Sequence, residues 1–188
     1  GDPMRMNGKV LIVEDDRLNR QFLSEYVAAI GHTAIAAENG ERALQLMRSE
    51  RPDVVLLDMI MPEMNGMEVL AALKASPDLS GLPVIVISAA DQMENAVKCI
   101  EAGAEDFLPK PFNPTLLRAR VTTSVEKKRL RDLDRLRLVE LARAHELVRR
   151  AFGRYVSEEV AASILKSPEG LELGGEEREV TILMSDLR

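Results

Sequence analysis

Asp58 ends the apolar run Val54-Val55-Leu56-Leu57, and other polar groups follow similar runs. Glu14-Asp15-Asp16 comes after Lys9-Val10-Leu11-Ile12-Val13, Ser88 after Val84-Ile85-Val86-Ile87, and Lys110 shortly after Glu105 to Leu108. Short apolar runs of this kind read as strands buried on both faces, and open parallel sheets expose their sites at the carboxyl ends of such strands. A carboxylate there can act as nucleophile toward phosphorus and form an acyl phosphate. Three consecutive acids repel one another unless a cation offsets them, and Mg2+ takes one or two carboxylates while keeping several waters. A lysine contacts phosphoryl oxygens and a hydroxyl takes up the remaining one. Glu14, Asp15, Asp58, Ser88 and Lys110 thus form a candidate phosphoryl-transfer site with Mg2+ as its cofactor. Taken singly each has a plainer reading: a capping or loop aspartate, a strand-end hydroxyl, a solvated lysine.

The elements that must bring these groups together are legible in the periodicity. Leu18, Phe22, Leu23, Tyr26, Val27 and Ile30 recur at helical spacing before Gly31, and Thr33 to Ala37 is a short strand. Asn39-Gly40 leads into a helix with Ala43, Leu44, Leu46 and Met47; Met67, Val69, Leu70 and Leu73 mark a third; Asp91 to Ala102, ended by Gly103, a fourth. Five strands alternating with helices predict a flavodoxin-like α/β fold, a five-stranded parallel sheet of order 2-1-3-4-5. In that order the ends of the first, third, fourth and fifth strands share one shallow site. The 46% of apolar residues suffice for a core, and with 3% aromatics and no Trp that core is aliphatic and Met-filled, Met59, Met61, Met64 and Met67 included. Cys99 is alone, which excludes an internal disulfide, and no Cys/His metal cluster is present. No apolar run approaches the roughly 20 residues of a membrane span, and the start lacks a signal peptide's pattern, so the expected location is cytoplasmic with no membrane partner.

Residues 6–120 resemble a response-regulator receiver domain of a two-component system. The resemblance rests on Val13-Glu14-Asp15-Asp16, on Leu57-Asp58-Met59-Ile60-Met61-Pro62-Glu63-Met64-Asn65-Gly66, on Ile87-Ser88-Ala89 and on Phe107-Leu108-Pro109-Lys110-Pro111. It implies Asp58 as phosphoacceptor, Asp15 as direct metal ligand, Glu14 acting through water and the backbone carbonyl of Ile60 completing the Mg2+ site. It further implies Ser88 bonding the phosphoryl group, Lys110 as its counter-ion, Phe107 as the switch aromatic and a cis bond at Pro111. The implied partner is a sensor histidine kinase or phosphotransfer protein. Glu14 stands where Asp is commoner, and Phe107 lacks the hydroxyl that some relatives carry.

Charge divides the chain. Residues 118–154 carry 12 Lys/Arg against 5 Asp/Glu, whereas the rest carries 13 against 26. From Thr115 no helix stop precedes Gly153, a length of about 58 Å at 1.5 Å per residue. Leu138, Leu141, His145, Val148, Phe152 and Tyr155 follow 3-4 spacing, while Leu130, Leu133 and Leu136 form an earlier patch in another phase. This predicts a long C-terminal helix, with 121–152 a signalling helix and a parallel homodimeric coiled coil through residues 121–155, His145 setting its register. Nucleic acid is disfavoured as a partner: the basic charge is present, but no stacking platform or helix-turn-helix pattern accompanies it.

Residues 153–188, expected to form a short β-containing tail, begin a second resemblance. Phe152-Gly153-Arg154-Tyr155-Val156-Ser157-Glu158-Glu159-Val160 and Gly174-Gly175-Glu176-Glu177-Arg178-Glu179-Val180-Thr181-Ile182-Leu183-Met184-Ser185-Asp186 are similar to the entry of a class III nucleotidyl cyclase domain. Asp186 matches that family's first metal ligand, and its remaining catalytic groups would lie beyond Arg188. The expectation is a truncated regulatory region, not itself an enzyme, from an adenylate or guanylate cyclase controlled through Asp58. The alternative is a receiver acting only as a phospho-switched protein- or nucleic-acid-binding module.

Overall fold

The computed structural model describes residues 7–89 and 93–152. They order as β1 (Lys9–Val13), α1 (Arg17–Ala29), β2 (Thr33–Ala37), α2 (Gly40–Glu50), β3 (Val54–Asp58), α3 (Gly66–Ala75), β4 (Val84–Ala89), α4 (Met93–Glu101), β5 (Asp106–Lys110) and α5 (Pro114–Phe152). Every strand pair is parallel and the sheet order is β2-β1-β3-β4-β5, the flavodoxin-like arrangement. The expected β-containing tail and Asp186 lie outside the described residues.

Alternation along each strand builds two cores. Leu11, Val13, Val55, Leu57, Val84 and Val86 face Ala43, Met47, Val69, Leu70, Leu73 and Cys99 on one side. Val10, Ile12, Val54, Leu56, Ile85 and Ile87 face Leu23, Val27, Leu117, Val121 and Val125 on the other. Because both faces are covered, β3 is buried at all five positions, which is why its sequence shows no polar alternation. Met59 and Met61 are buried, while Met64 and Met67 pack at the edge of the first core.

The loops that carry the acids are fixed by helix caps. Asp16 caps α1 by accepting from the Asn19 amide at 2.8 Å, so the third acid of the run is a structural residue. Asn39 caps α2 through the Arg42 amide, and Asn65 and Glu68 form a reciprocal capping box at α3. Gly66 starts α3 where a Cβ would lie 2.4 Å from the Asp58 carbonyl oxygen. Glycine alone allows this close approach of α3 to the end of β3. α1 departs from the expected apolar face in one respect. Leu23 and Val27 are buried, but Leu18 is 76% and Phe22 46% exposed, the latter stacked between Tyr26 and Phe112.

The chain divides into two compact units, residues 1–135 and 136–188. In the first, α5 is buried at Leu117, Val121 and Val125, and Lys127 and Arg131 reach Glu105. In the second, Leu136, Leu138, Leu141, Leu147 and Val148 are all more than half exposed.

His32, buried beside β1, accepts a hydrogen bond at Nδ1 from the Gly8 amide at 3.1 Å, so the neutral ring carries its proton on Nε2. Burial and then the Arg129 charge lower its pKa below 6.5, against an opposing effect of Asp53. Below about pH 6.5 the unfolded chain takes up a proton that the folded ring resists, so this group's contribution to stability falls as the pH drops, by at most about 1.4 kcal/mol per unit. Urea unfolding between pH 7.5 and 5.5 should show His32→Gln losing less stability on acidification than the wild type; parallel curves would refute the assignment.

Candidate functional site

Strand register assembles the site. Val13 pairs with Leu57, so Glu14 and Asp58 leave adjacent strands at neighbouring points. Asp58 pairs with Ile87, one residue before Ser88, and Ala89 pairs with Lys110 across β4 and β5. The Met59 amide continues the ladder by donating to the Ile87 carbonyl at 3.1 Å, which anchors the end of β3 just beyond Asp58. The Lys110–Pro111 bond is cis.

The resulting centre is a buried pair of carboxylates sharing one cation. Lys110 Nζ lies 3.1 Å from Asp58 Oδ2 and 3.1 Å from Glu14 Oε2. Glu14 is 1% and Asp58 3% exposed, and Ser88 is buried with them. Asp15 is exposed, yet one carboxylate oxygen each from Glu14, Asp15 and Asp58 falls within 4.8 Å of the others. Asp58 Oδ1 faces the Ile60 amide at 3.4 Å, and the Ile60 side chain points to solvent. Phe107, on β5 next to Val86, is half-buried against the first core.

Electrostatics follow from burial. Desolvation, then the charge of and hydrogen bond with Asp58, push the Glu14 carboxyl up to about 7, with Lys110 pulling the other way. Burial works against the charge on Lys110, but Asp58 and then Glu14 outweigh it and hold the ammonium above its ordinary value. One cation therefore cannot fully compensate two buried anions, and near neutral pH Glu14 is partly protonated. Three hard oxygen donors, one of them open to water, suit a small hard cation that retains part of its hydration shell.

The structure thus brings Glu14, Asp15, Asp58, Ser88 and Lys110 to one edge of the sheet. Sequence reasoning missed the groups that support them. Arg20 Nη1 donates to the carbonyls of Glu14 and Asp15 at 2.8 and 3.0 Å, and Cys99 Sγ lies 3.5 Å from Met59 Sδ beneath the end of β3. Tyr26 donates to the Pro114 carbonyl at 2.5 Å, tying α1 to the segment after Lys110. An arginine one turn into a helix and a lone cysteine between Lys98 and Ile100 carry no signal in sequence, and the role of Asp16 as a cap was likewise not read from it.

Residues 10–122 match the family model described as Response regulator receiver domain. A cyclic di-GMP phosphodiesterase of Thermotoga maritima is 43% identical over 119 residues, 63% of this chain and 31% of that protein. The response regulator MprA of Mycobacterium ulcerans is 37% identical over 127 residues, 68% of this chain and 54% of its own. The chain therefore spans little more than half the length of these curated relatives, or less. Among solved structures, the receiver domain of the Francisella response regulator 1452 superposes with a TM-score of 0.60 at 32% identity, covering 64% of this chain and 98% of that one. The chemotaxis protein CheY4 of Vibrio cholerae does so with a TM-score of 0.59 at 29% identity, covering 63% and 98%.

Since Asp58 and Glu14 compete for Lys110, neutralising one should stabilise the fold. Asp58→Asn is expected to raise the melting temperature of the metal-free protein by roughly 2–4 °C, about 1 kcal/mol for a chain of this size. The Glu14 carboxyl should titrate lower in the same variant by NMR, because two upward influences are gone. A variant that melts below the wild type would show that Asp58 is held by favourable contacts instead.

Proposed function

The chain belongs to the response regulator receiver family, and from that membership we propose that it accepts a phosphoryl group on Asp58 and passes the resulting change to an output domain through α5. The observation that carries the reading is the buried Asp58 carboxylate 3.1 Å from Lys110, with the carboxylates of Glu14 and Asp15 beside it. In the step proposed, an Asp58 oxygen forms a bond to phosphorus as the bond from phosphorus to the donor's leaving atom breaks. Lys110, kept charged by its two carboxylates, contacts a phosphoryl oxygen; Ser88 donates its hydroxyl to another. Asp15 and Asp58 would hold Mg2+ directly, Glu14 through water and the Ile60 carbonyl from the loop, and the bound ion supplies charge neutralisation on the transferring group. Phe107 is the proposed switch: drawing Ser88 toward the phosphate opens the space into which the ring packs. Response regulators interact with histidine kinases or phosphotransfer proteins, and such a protein is the proposed donor.

The proposed division is a receiver over 6–120, a signalling helix over 121–152 and the start of a class III nucleotidyl cyclase over 153–188, with Asp186 a metal ligand of the complete protein. The exposed leucines of α5 support a parallel homodimer, because apolar side chains at 3-4 spacing on a helix are ordinarily buried against another helix. The family match does not choose the output. One relative is named for cyclic di-GMP phosphodiesterase activity, and it is longer than the region matched here.

Incubation with acetyl phosphate and Mg2+ should label the wild type on Asp58 and leave Asp58→Asn unlabelled; equal labelling of the two would sink the site assignment. Sedimentation at micromolar concentration should give a dimer that Leu141→Asp converts to monomer, whereas a monomeric wild type would remove the coiled coil from the model of signalling. For the output, the longer parent should form cyclic nucleotide from ATP or GTP at a rate that changes on phosphorylation. No cyclic nucleotide under any condition would favour a phospho-switched binding module.

A further inference from the structure

The three consecutive acids at the end of β1 are held unequally. Glu14 is fixed at both ends: its amide donates to the Ala37 carbonyl at 3.1 Å, and its Oε1 accepts from the Asp16 amide at 3.2 Å. Asp16 is committed to the cap of α1. The exposed Asp15 carboxylate accepts no hydrogen bond among the described residues, so its direction depends on the backbone that bears it. Among the described residues, one side chain bridges the carbonyls of Glu14 and Asp15. Nη1 of Arg20, a half-buried residue one turn into α1, donates to Glu14 O at 2.8 Å and to Asp15 O at 3.0 Å.

We propose that Arg20 is the positioning residue of the cation site: by gripping both carbonyls it sets the β1–α1 turn and aims the Asp15 carboxylate at the point shared with Asp58. This rests on the reading of Glu14, Asp15 and Asp58 as the Mg2+ site. Two effects of the guanidinium oppose each other. Its positive charge repels a divalent cation, an effect that solvent and salt screen at a half-buried side chain. Its hydrogen bonds order the turn before the cation arrives, so binding need not supply the entropy of collecting like-charged groups. Groups that orient metal ligands in this way are typically worth 10–100-fold in metal affinity, so positioning outweighs repulsion.

The opposition of signs makes the test decisive. Arg20→Met removes charge and donors together; Arg20→Lys keeps the charge, but its shorter reach leaves the carbonyls unheld. Mg2+ titrated calorimetrically into the metal-free full chain should bind each variant about 10-fold more weakly than the wild type. Melting without Mg2+ serves as the control for folding, and the lysine variant carries the test should the methionine variant not fold. Labelling by acetyl phosphate at saturating Mg2+ should return to the wild-type rate in both, because Asp58 and Lys110 are untouched. Unchanged or tighter Mg2+ binding by Arg20→Met, or wild-type affinity in Arg20→Lys, overturns the proposal. A different result strikes the underlying reading: if wild type and Asp15→Asn give the same Mg2+ isotherm, the acids are not the cation site and the role of Arg20 falls with it.

Discussion

The repulsion between two buried carboxylates, Glu14 and Asp58, balanced on the single ammonium of Lys110, is the constraint to which the rest of the structure answers. Desolvated like charges are costly, and a fold selected for stability alone would replace one of them by a neutral group. Here both are kept, and the strain appears as a Glu14 carboxyl raised to about 7. Excess negative charge aimed at one point suits a divalent cation, and the proposed phosphoryl transfer would draw on that cation in turn. Under the proposed function, the cost of the resting site would be what makes it responsive to the cation and the phosphoryl group.

A parallel sheet supplies the rigidity to hold such a site. The acids and Lys110 belong to segments far apart in the chain, yet register places them within a few ångströms because β1, β3, β4 and β5 are successive neighbours in the sheet. No flexible linker sets these distances. The two aliphatic cores clamp the sheet from both faces, and the Gly66 contact and the Met59–Ile87 hydrogen bond lock the end of β3. Of the three clustered acids, Asp15 alone is exposed, where a hydrated cation would enter under the proposed reading.

Much of this was legible in the sequence, and the reason is topological. Fully buried strands write themselves as uninterrupted apolar runs, so the residue ending each run is easy to find, and the five-strand order then dictates which ends meet. Asp58, Ser88 and Lys110 could be brought together on that basis before any distance was known. Leu18 and Phe22 show the limit of the same reasoning. They keep the apolar period of α1 but lie on its outward side, because periodicity identifies an apolar stripe without saying how wide a stripe the sheet can cover. The supports of the site were illegible for a different cause. Arg20 acts on backbone carbonyls, which every residue possesses, so nothing in its neighbours' identities advertises the contact.

The exposed leucines of α5 pose the same problem in reverse. In residues 114–125 the apolar positions Leu117, Val121 and Val125 recur every four residues and are buried against the sheet, a spacing suited to one face of a straight helix. From Leu138 onward the spacing alternates three and four, the pattern of helices wound around each other. A flat sheet accepts a straight stripe, whereas a helical neighbour, as in the proposed dimer, requires a supercoiling one. The change of period falls between Val125 and Leu138, inside the basic stretch 118–154. The exposed leucines of this segment, spaced unlike the stripe that α5 lays on the sheet, are what the proposed homodimer rests on.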